Sequence, residues 1–373
     1  MLHPTRVDEP ALEAKIAQLL LVGFRGIDRA GAAGIIDDIA VLGLGGVILF
    51  DIDGPSGQPR RNIVSQEQVG ALTTDLQAAV PHNGVSPCGA GSRVSNPINR
   101  LLIAVDQEGG QVRRFKERHG VAPTSSAQEI GRRDDLDVTH KQASTIARSL
   151  AACGVNLNFA PVVDLNVNPL NPVIGQKERS FSDDPEIVSS HAAAFIRAHR
   201  LAGVSCALKH FPGHGSSDAD THTGFTDITQ TWDEVELRPF EQLIRQGLPA
   251  AVMTAHVFNA HLDAQWPATL SRSVITDLLR RRLGFDGVVI SDDLGMGAIA
   301  GQYSRPQALE LALQAGVDLL CLCNQTIYEE DLIERTIEQI AALVSAGKVE
   351  IGRIDEAYAR VRRLKESMAR WPG

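Results

Sequence analysis

The sequence lacks the features that mark several classes of protein. Its five cysteines are Cys88, Cys153, Cys206, Cys321 and Cys323. This odd number of cysteines shows no disulfide framework, which favours a reducing compartment. Cys321 and Cys323 are closely spaced, but there is no second pair of cysteines with which they could form a zinc knuckle. The N-terminal residues show no basic segment followed by an apolar one, and no apolar run is long enough to span a membrane. We therefore expect a cytoplasmic protein.

Positive charge is also scarce. Lys and Arg number 36 against 45 Asp and Glu, and the formal net charge is -9. Proteins that bind nucleic acid normally present a basic face, so this balance argues against such a partner. The composition, 43% hydrophobic and 22% charged, is typical of a soluble globular protein, and 373 residues suffice for one large α/β domain or two smaller ones.

The sequence does contain eight short apolar runs separated by amphipathic segments. The runs are Gln18–Phe24, Leu44–Phe50, Leu101–Asp106, Val155–Val163, Val204–His210, Ala250–Val257, Gly287–Ser291 and Val317–Cys323. Most of them lack alternation, which is typical of parallel strands covered on both faces. Helical patterns are found at Ser65–Val80, Asp137–Cys153, Pro185–Leu201, Trp232–Gln246, Ser271–Leu283 and Ile351–Arg370. This order predicts a single-domain (β/α)₈ TIM-like barrel over residues 1–373, with a doubly wound sheet as the alternative and with a plain helix possible at Ala11–Leu21.

Several predicted strands end in polar residues at the same relative point. These residues are Asp106-Gln107-Glu108, Lys209-His210, His256, Asp292-Asp293 and Asn324. The carboxyl ends of barrel strands converge on one mouth, where barrel enzymes carry their active sites. We therefore expect these side chains to lie close together.

The segment Lys209–His222, KHFPGHGSSDADTH, holds three histidines, a lysine and two aspartates. Its glycines and serines exclude a stiff helix and predict a mobile loop. Within it, Asp220 and His222 are two residues apart, so that the carboxylate can hold one ring nitrogen and raise the basicity of the imidazole. The alternative is a solvated loop.

Two strand ends carry carboxylates whose roles the sequence leaves open. Asp292 and Asp293 are adjacent, so only one of their side chains can face the barrel mouth. The two-residue period of a strand does not decide which one does. The side chain that faces away from the mouth would cap the following helix. The carboxylate at the mouth is suited to act as a nucleophile or a metal ligand. Asp106 precedes two glycines and two arginines, a pattern that fits recognition of sugar hydroxyls or a structural ion pair.

Taken together, these segments resemble family 3 glycoside hydrolases, and most closely the bacterial β-N-acetylhexosaminidases (β-N-acetylglucosaminidases). The matching pieces are VGF (22–24), GGVILF (45–50), VDQEGGQVRRF (105–115), NFAPVVDLN (158–166), NPVIG with RSFSDDP (171–185), ALKHFPGHG with D.H (207–222), VMTAH (252–256), GFDGVVISDDLGM (284–296) and AGVDLLCLCN (315–324). They cover nearly the whole chain in one order, and the KHFPGHG motif with D.H is the most specific. The resemblance implies a TIM-like barrel.

The resemblance also implies roles for particular residues. The family is retaining and works through a covalent glycosyl-enzyme, with Asp292 as the nucleophile, His222 as the general acid/base and Asp220 as its partner. The residues implied for sugar binding are Asp106, Arg114, Arg179, Lys209 and His210. His256 is a further pocket candidate, and His214 is expected to shape the loop. Neither a metal nor an organic cofactor is implied.

Three features depart from the family pattern. Gln176–Glu178 stands where the family usually has a single residue, and Pro81–Asn99 is an extended loop. The chain also ends without the second α/β domain of many members, so we expect His222 to come from the barrel's own loop, which would close over the substrate.

The implied activity is exo-acting removal of N-acetylglucosamine from muropeptides in peptidoglycan recycling, with a carbohydrate as the substrate and no nucleic-acid or membrane partner. The first alternative is a β-glucosidase or a phosphorylase of the same family. The second is a metal-dependent barrel hydrolase with His210, His214, His222, His256 and Asp292 as ligands. The third is a catalytically inactive sugar-binding protein.

Overall fold

A computed structural model describes residues 10–81 and 100–368. Within these ranges, eight short strands run parallel to one another in a single sheet. They are β1 (Leu20–Gly23), β2 (Gly46–Ile48), β3 (Leu102–Val105), β4 (Leu157–Asn158), β5 (Ser205–Phe211), β6 (Ala251–Thr254), β7 (Val288–Ile290) and β8 (Leu320–Leu322). Each predicted apolar run contains or overlaps one of these strands.

The sheet curls into a nearly closed barrel. Hydrogen-bonded neighbours follow the order β7-β6-β5-β4-β3-β2-β1-β8. The two end strands approach each other through a parallel bridge between Ile290 and Leu319, and the Ser291 amide donates to the Leu319 carbonyl at 3.0 Å. The predicted TIM-like (β/α)₈ fold is therefore confirmed, and the doubly wound sheet is excluded.

Helices cover the outside of the barrel. They are α1 (Leu12–Gln18), α2 (Ala33–Leu42), α3 (Gln66–Ala78), α4 (Ala127–Arg133), α5 (Leu136–Ala152), α6 (Pro185–Leu201), α7 (Arg238–Arg245), α8 (Gly297–Ala300), α9 (Arg305–Ala315), α10 (Leu332–Ser345) and α11 (Ile351–Met368). Ser273–Arg282 forms a wider, π-helical segment. The region predicted as either a helix or a strand contains both, since α1 leads directly into β1.

Helix α6 shows how the local sequence sets these boundaries. The Asp184 side chain accepts a hydrogen bond from the Glu186 amide at 2.8 Å, and Pro185 occupies the first helical turn, where its missing N–H has no cost. His199 and Arg200 lie in the last turn, where basic side chains complement the helix dipole. The start and end predicted for this helix are both confirmed.

The core lies between the sheet and the helices. The residues of β1, β2, β3, β6, β7 and β8 are all buried, which explains why these runs lack alternation. At the amino-terminal side of β8, the buried carboxylate of Asp318 accepts hydrogen bonds from the Val289 amide at 3.0 Å and from Arg280, Arg353 and Arg360. This cluster ties β7 and β8 to helix α11.

Some predictions fall outside the described residues. The extended loop at Pro81–Asn99 lies outside them from residue 82 onward, as do Cys88 and the first nine residues of the N-terminal segment. The prediction of one domain over residues 1–373 includes these positions and stays a prediction. Across residues 10–81 and 100–368, no helix combines the length and apolar character needed to cross a bilayer.

Candidate active site

A cavity of about 250 Å³ lies at the mouth formed by the carboxyl ends of the strands. Seven of the eight predicted site residues line it: Asp106, Arg114, Arg179, Lys209, His210, His222 and Asp292. The eighth, Asp220, contacts one of them directly. The structure thus brings together residues that are spread over nearly 190 positions of the sequence.

Lys209 forms the centre of a buried network of charges. Its Nζ atom lies 2.8 Å from Asp106 Oδ1 and 2.7 Å from Glu108 Oε1, and Arg114 Nη2 lies 3.1 Å from Asp106 Oδ2. Burial by itself would raise the pKa of the Asp106 carboxyl, but Lys209 and Arg114 outweigh it and hold this pKa well below its usual range. Asp106 is therefore an anion that can accept hydrogen bonds from a ligand.

Arg179 is held in the cavity by a bidentate ion pair with Glu108. Its Nε and Nη2 atoms lie 2.9 and 2.8 Å from the two carboxylate oxygens of Glu108. Burial favours neutral groups, but this pairing raises the pKa of Arg179 and lowers that of Glu108. The insertion Gln176–Glu178 is accommodated in a turn, and it does not remove Arg179 from the cavity.

Asp164, which no sequence pattern singled out, organises the two histidines of the KHFPGHG motif. Its Oδ2 atom is 2.7 Å from His210 Nδ1, and its Oδ1 atom accepts from the backbone amides of His210 and His214 at 3.1 and 3.0 Å. The second ring nitrogen of His210 faces Arg179 Nη2 at 3.3 Å. The position of Asp164, one residue after the run Val155–Val163, was the signal that could have identified it.

The structure distinguishes between the two adjacent carboxylates after β7. Asp292 lines the cavity, and His256, His210 and His222 outweigh its burial to lower its pKa. Asp293 points away from the cavity and accepts hydrogen bonds from the backbone amides of Cys323 and Gly295, each at 3.0 Å. Asp292 is thus the ionised carboxylate at the mouth, and Asp293 orders the turn that follows the strand.

His256 is buried against the backbone of Asp293, the residue after this carboxylate. Its two ring nitrogens lie 2.7 Å from the Thr269 hydroxyl and 2.9 Å from the Asp293 carbonyl oxygen. Burial lowers the pKa of His256, although the charge of Asp292 acts in the opposite direction. His256 is not among the residues that line the cavity, so it orders the backbone next to Asp292 and does not face the ligand space.

His222 and Asp220 form a hydrogen-bonded pair at the rim of the cavity. His222 Nδ1 lies 2.7 Å from Asp220 Oδ1, which also accepts from the His222 backbone amide at 2.8 Å. These bonds outweigh burial and lower the pKa of Asp220. The ring is oriented through Nδ1, so Nε2 is the nitrogen available for proton transfer.

The sequence predicted a mobile loop from Lys209 onward, but the start of this segment is buried and hydrogen-bonded. Residues 209–217 are buried, and exposure begins at Asp218. Glu236, which no sequence pattern singled out, accepts a hydrogen bond from the Gly215 amide at 3.0 Å. Burial raises the pKa of Glu236 to about 7. Asp164 and Glu236 together hold the base of the loop, whereas its rim portion faces solvent.

A second cavity of about 310 Å³ lies beside the first, and Asp293, Tyr303, Arg305 and Asn324 are among its lining residues. It contains fewer charged groups, and the paired histidine and carboxylate side chains gather in the smaller cavity. Among the described residues, no group of three or more His, Cys, Asp or Glu side chains is arranged to hold a metal ion.

This fold and site define a class of protein: a parallel (β/α)₈ barrel with an ionised carboxylate, an oriented imidazole and buried polar side chains at its carboxyl-terminal mouth. Comparison with known families agrees with it. Residues 11–364 match the family described as Glycosyl hydrolase family 3 N terminal domain. The chain belongs to glycosyl hydrolase family 3.

Several relatives illustrate the relationship. The chain is 33% identical over 345 residues to Beta-hexosaminidase A of Pseudoalteromonas piscicida, covering 87% of this chain and 54% of that protein. It is 38% identical over 286 residues to Beta-hexosaminidase of Tolumonas auensis, covering 75% of this chain and 76% of that one. The chain thus spans about half the length of the first of these relatives.

Solved structures give the same result. A family 3 β-N-acetylglucosaminidase from Paenibacillus sp. superposes with a TM-score of 0.84 at 33% identity, over 97% of this chain and 63% of that one. Beta-N-acetylhexosaminidase from Beutenbergia cavernae superposes with a TM-score of 0.81 at 30% identity, over 96% of this chain and 99% of that one.

Proposed function

We propose that this protein is a retaining exo-β-N-acetylglucosaminidase. The observation that carries the proposal is that Asp292 and His222 line one cavity together with the buried polar set around Lys209. The relatives named above as hexosaminidases and N-acetylglucosaminidases support the choice of sugar.

In the first step, the Asp292 carboxylate attacks the anomeric carbon of the bound sugar while the bond to the leaving oxygen breaks. The lowered pKa of Asp292 keeps it ionised and nucleophilic at neutral pH. His222, protonated at Nε2, gives its proton to the leaving oxygen as the covalent glycosyl-enzyme forms.

In the second step, the neutral imidazole of His222 takes a proton from water through Nε2. The water oxygen attacks the anomeric carbon, and the Asp292 carboxylate leaves. Asp220 fixes the ring through Nδ1 in both steps and stabilises its cationic form. An imidazole has a reference pKa of about 6.5, so it serves as acid and then as base near neutral pH.

The sugar itself is held by the cluster around Lys209. Asp106 accepts hydrogen bonds from hydroxyl groups of the terminal sugar, and Arg114, Lys209, His210 and Arg179 surround it with donors. Because Lys209 is buried against two carboxylates, its position is fixed before the substrate arrives.

The substrates that we propose are muropeptide fragments with a terminal N-acetylglucosamine, released and reused during peptidoglycan recycling in the cytoplasm. Phosphorolysis by the same site is the second candidate, because an imidazole as the acid/base does not repel an incoming phosphate anion as a carboxylate would.

The first experiment compares p-nitrophenyl β-glycosides of N-acetylglucosamine and glucose, each with and without inorganic phosphate. We expect faster hydrolysis of the N-acetylglucosaminide and no acceleration by phosphate. Preference for the glucoside would refute the sugar assignment. A phosphate-dependent rate with a glycosyl phosphate as the product would establish phosphorolysis.

The second experiment tests the nucleophile. Asp292→Asn should lower kcat by about three orders of magnitude or more, because an amide cannot displace the leaving group. Asp293→Asn serves as the neighbouring control, with melting temperatures measured for both. A 2-fluoro glycoside should form a covalent adduct that peptide mass spectrometry locates at Asp292, and an adduct at another residue would overturn the assignment.

A further inference from the structure

We propose that Lys177 selects substrates whose leaving group carries a carboxylate. This inference rests on the proposed glycosidase function and adds to it a chemical requirement on the part of the substrate beyond the cleaved bond. Lys177 lines the same cavity as His222 and Asp292 and belongs to the insertion Gln176–Glu178.

Lys177 differs from the other basic side chains of the cavity in its charge partners. Arg114, Arg179 and Lys209 each contact a carboxylate of Asp106 or Glu108 directly. Over the described ranges 10–81 and 100–368, Lys177 has no such hydrogen bond or ion pair. A half-buried lysine that lines a cavity and has no direct counter-ion is suited to bind an anionic ligand.

The backbone holds Lys177 in place. The Gln176 amide donates to the Asn171 carbonyl at 2.9 Å, and the Glu178 amide donates to the Gly175 carbonyl at 3.0 Å. Glu178 adopts a left-handed conformation with φ 54°, which turns the chain back toward Arg179. The inserted residues thus form a hydrogen-bonded turn, and Lys177 stands at its centre.

From the position of this turn, we infer that Lys177 lies near the leaving group and not near the terminal sugar. The charge of Lys177 is near enough to Asp220 to contribute to lowering its pKa, after burial and the bonds from His222. Asp220 holds His222, whose Nε2 must reach the leaving oxygen. In the proposed function, the terminal sugar occupies the buried cluster of Asp106 and Lys209, so we place an anion bound near Lys177 and His222 on the leaving-group side of the cleaved bond.

A carboxylate fits this position better than a phosphate. Asp220 and Asp292 are already anions in or beside the cavity, and they would repel the double charge of a phosphate ester more strongly than a single one. The matching ligand is therefore a sugar acid or a peptide carboxylate on the leaving group.

The test compares two aryl β-N-acetylglucosaminides that differ only in one group on the ring, a carboxylate or a carboxamide. The measured quantity is the ratio of their kcat/KM values. This ratio should fall about threefold to tenfold in Lys177→Met and in Lys177→Gln, as expected for loss of a partly exposed ion pair. In the unchanged protein, the ratio should also fall as NaCl is raised from about 0.05 to 0.5 M.

Lys141→Met is the control, because Lys141 is exposed on helix α5 and its loss changes the net charge equally. Its ratio should equal that of the unchanged protein. An unaltered ratio in both Lys177 variants would overturn the inference. So would an equal loss on both substrates, which would show that Lys177 acts through Asp220. If the unchanged protein hydrolysed neither substrate, the proposed function itself would fall, and this inference with it.

Discussion

At the scale of single residues, the site is defined by which charges are buried with partners and which are exposed. Asp106 and Glu108 form a network with Arg114, Lys209 and Arg179, in which each carboxylate contacts two cations. Removing one member would leave another charge buried without a partner, which costs far more than a surface pair. His222, by contrast, faces solvent with 58% of its side chain exposed.

His222 provides the first residue-scale prediction. In His222→Ala, kcat/KM for alkyl and phenyl N-acetylglucosaminides should fall about 10²- to 10⁴-fold, because their poor leaving groups need a proton. For the 2,4-dinitrophenyl glycoside, whose leaving group departs as an anion, the loss should be less than about tenfold. Steady-state kinetics on this series measures the dependence on leaving-group pKa.

The matched control is His140→Ala, which removes an exposed imidazole from helix α5. It should leave the whole series unchanged. Losses of equal size on activated and unactivated substrates would show that His222 binds or orders the site and does not act as the acid.

At the scale of elements, the loop between β5 and α7 combines an anchored base with an exposed rim. Asp164 holds the amides of His210 and His214, and Glu236 holds the amide of Gly215. The exposed part begins at Asp218 and includes the catalytic pair that we propose. Movement that closes the site over a substrate is therefore expected beyond residue 217 and not at the KHFPGHG motif.

Glu236, which anchors this loop, makes the free energy of unfolding of the protein depend on pH. Its pKa in the folded protein, about 7, lies above the ordinary value of 4.5, so the folded state holds a proton that the unfolded chain releases. This contribution to the free energy of unfolding is complete below pH 4.5 and is lost as the pH rises toward 7. Glu236→Gln stays uncharged, so its stability relative to the unchanged protein should increase by about 1–3 kcal/mol across this range.

Urea unfolding between pH 4.5 and 8 measures the effect. Glu241→Gln is the control on helix α7, because Glu241 forms an i,i+4 pair with Arg245 near the surface. A constant difference between Glu236→Gln and the unchanged protein over this range would show that Glu236 is ionised in the folded state throughout.

The sequence predicted the elements better than the contacts between them. The eight apolar runs were sufficient to predict the barrel, because strands that are buried on both faces consist almost entirely of apolar residues. The cavity residues were identified from strand ends and from a resemblance. The strand period left the choice between Asp292 and Asp293 open, and only the resemblance implied Asp292. The structure places the Asp292 side chain in the cavity and the Asp293 side chain outside it. Glu236 gave no signal, because its partner Gly215 lies 21 residues away.

At the scale of the whole molecule, the barrel closes where β7 and β8 meet. Asp318 is completely buried at this closure and joins β7, β8 and α11 through one amide and three arginines. The cluster lies at the end of the barrel opposite the cavity, so we expect it to contribute to stability and not to catalysis.

Asp318→Asn should therefore destabilise the protein by about 3–5 kcal/mol, since it leaves three guanidinium groups near an uncharged partner. The KM of the folded enzyme should stay the same. Asp286→Asn is the control, because Asp286 also contacts Arg360 but is 79% exposed. Chemical denaturation measures both variants, and equal small losses would contradict the role of Asp318 in barrel closure.

The exposed position of His222 has a consequence for the supply of protons. A deeply enclosed imidazole would depend on a water molecule trapped in the site, whereas this ring meets bulk water directly. In the proposed mechanism, the imidazole regains its proton from the water that attacks the glycosyl-enzyme, so each turnover restores the acid without a proton from the buffer. Turnover at fixed pH should then be indifferent to the concentration and identity of the buffer.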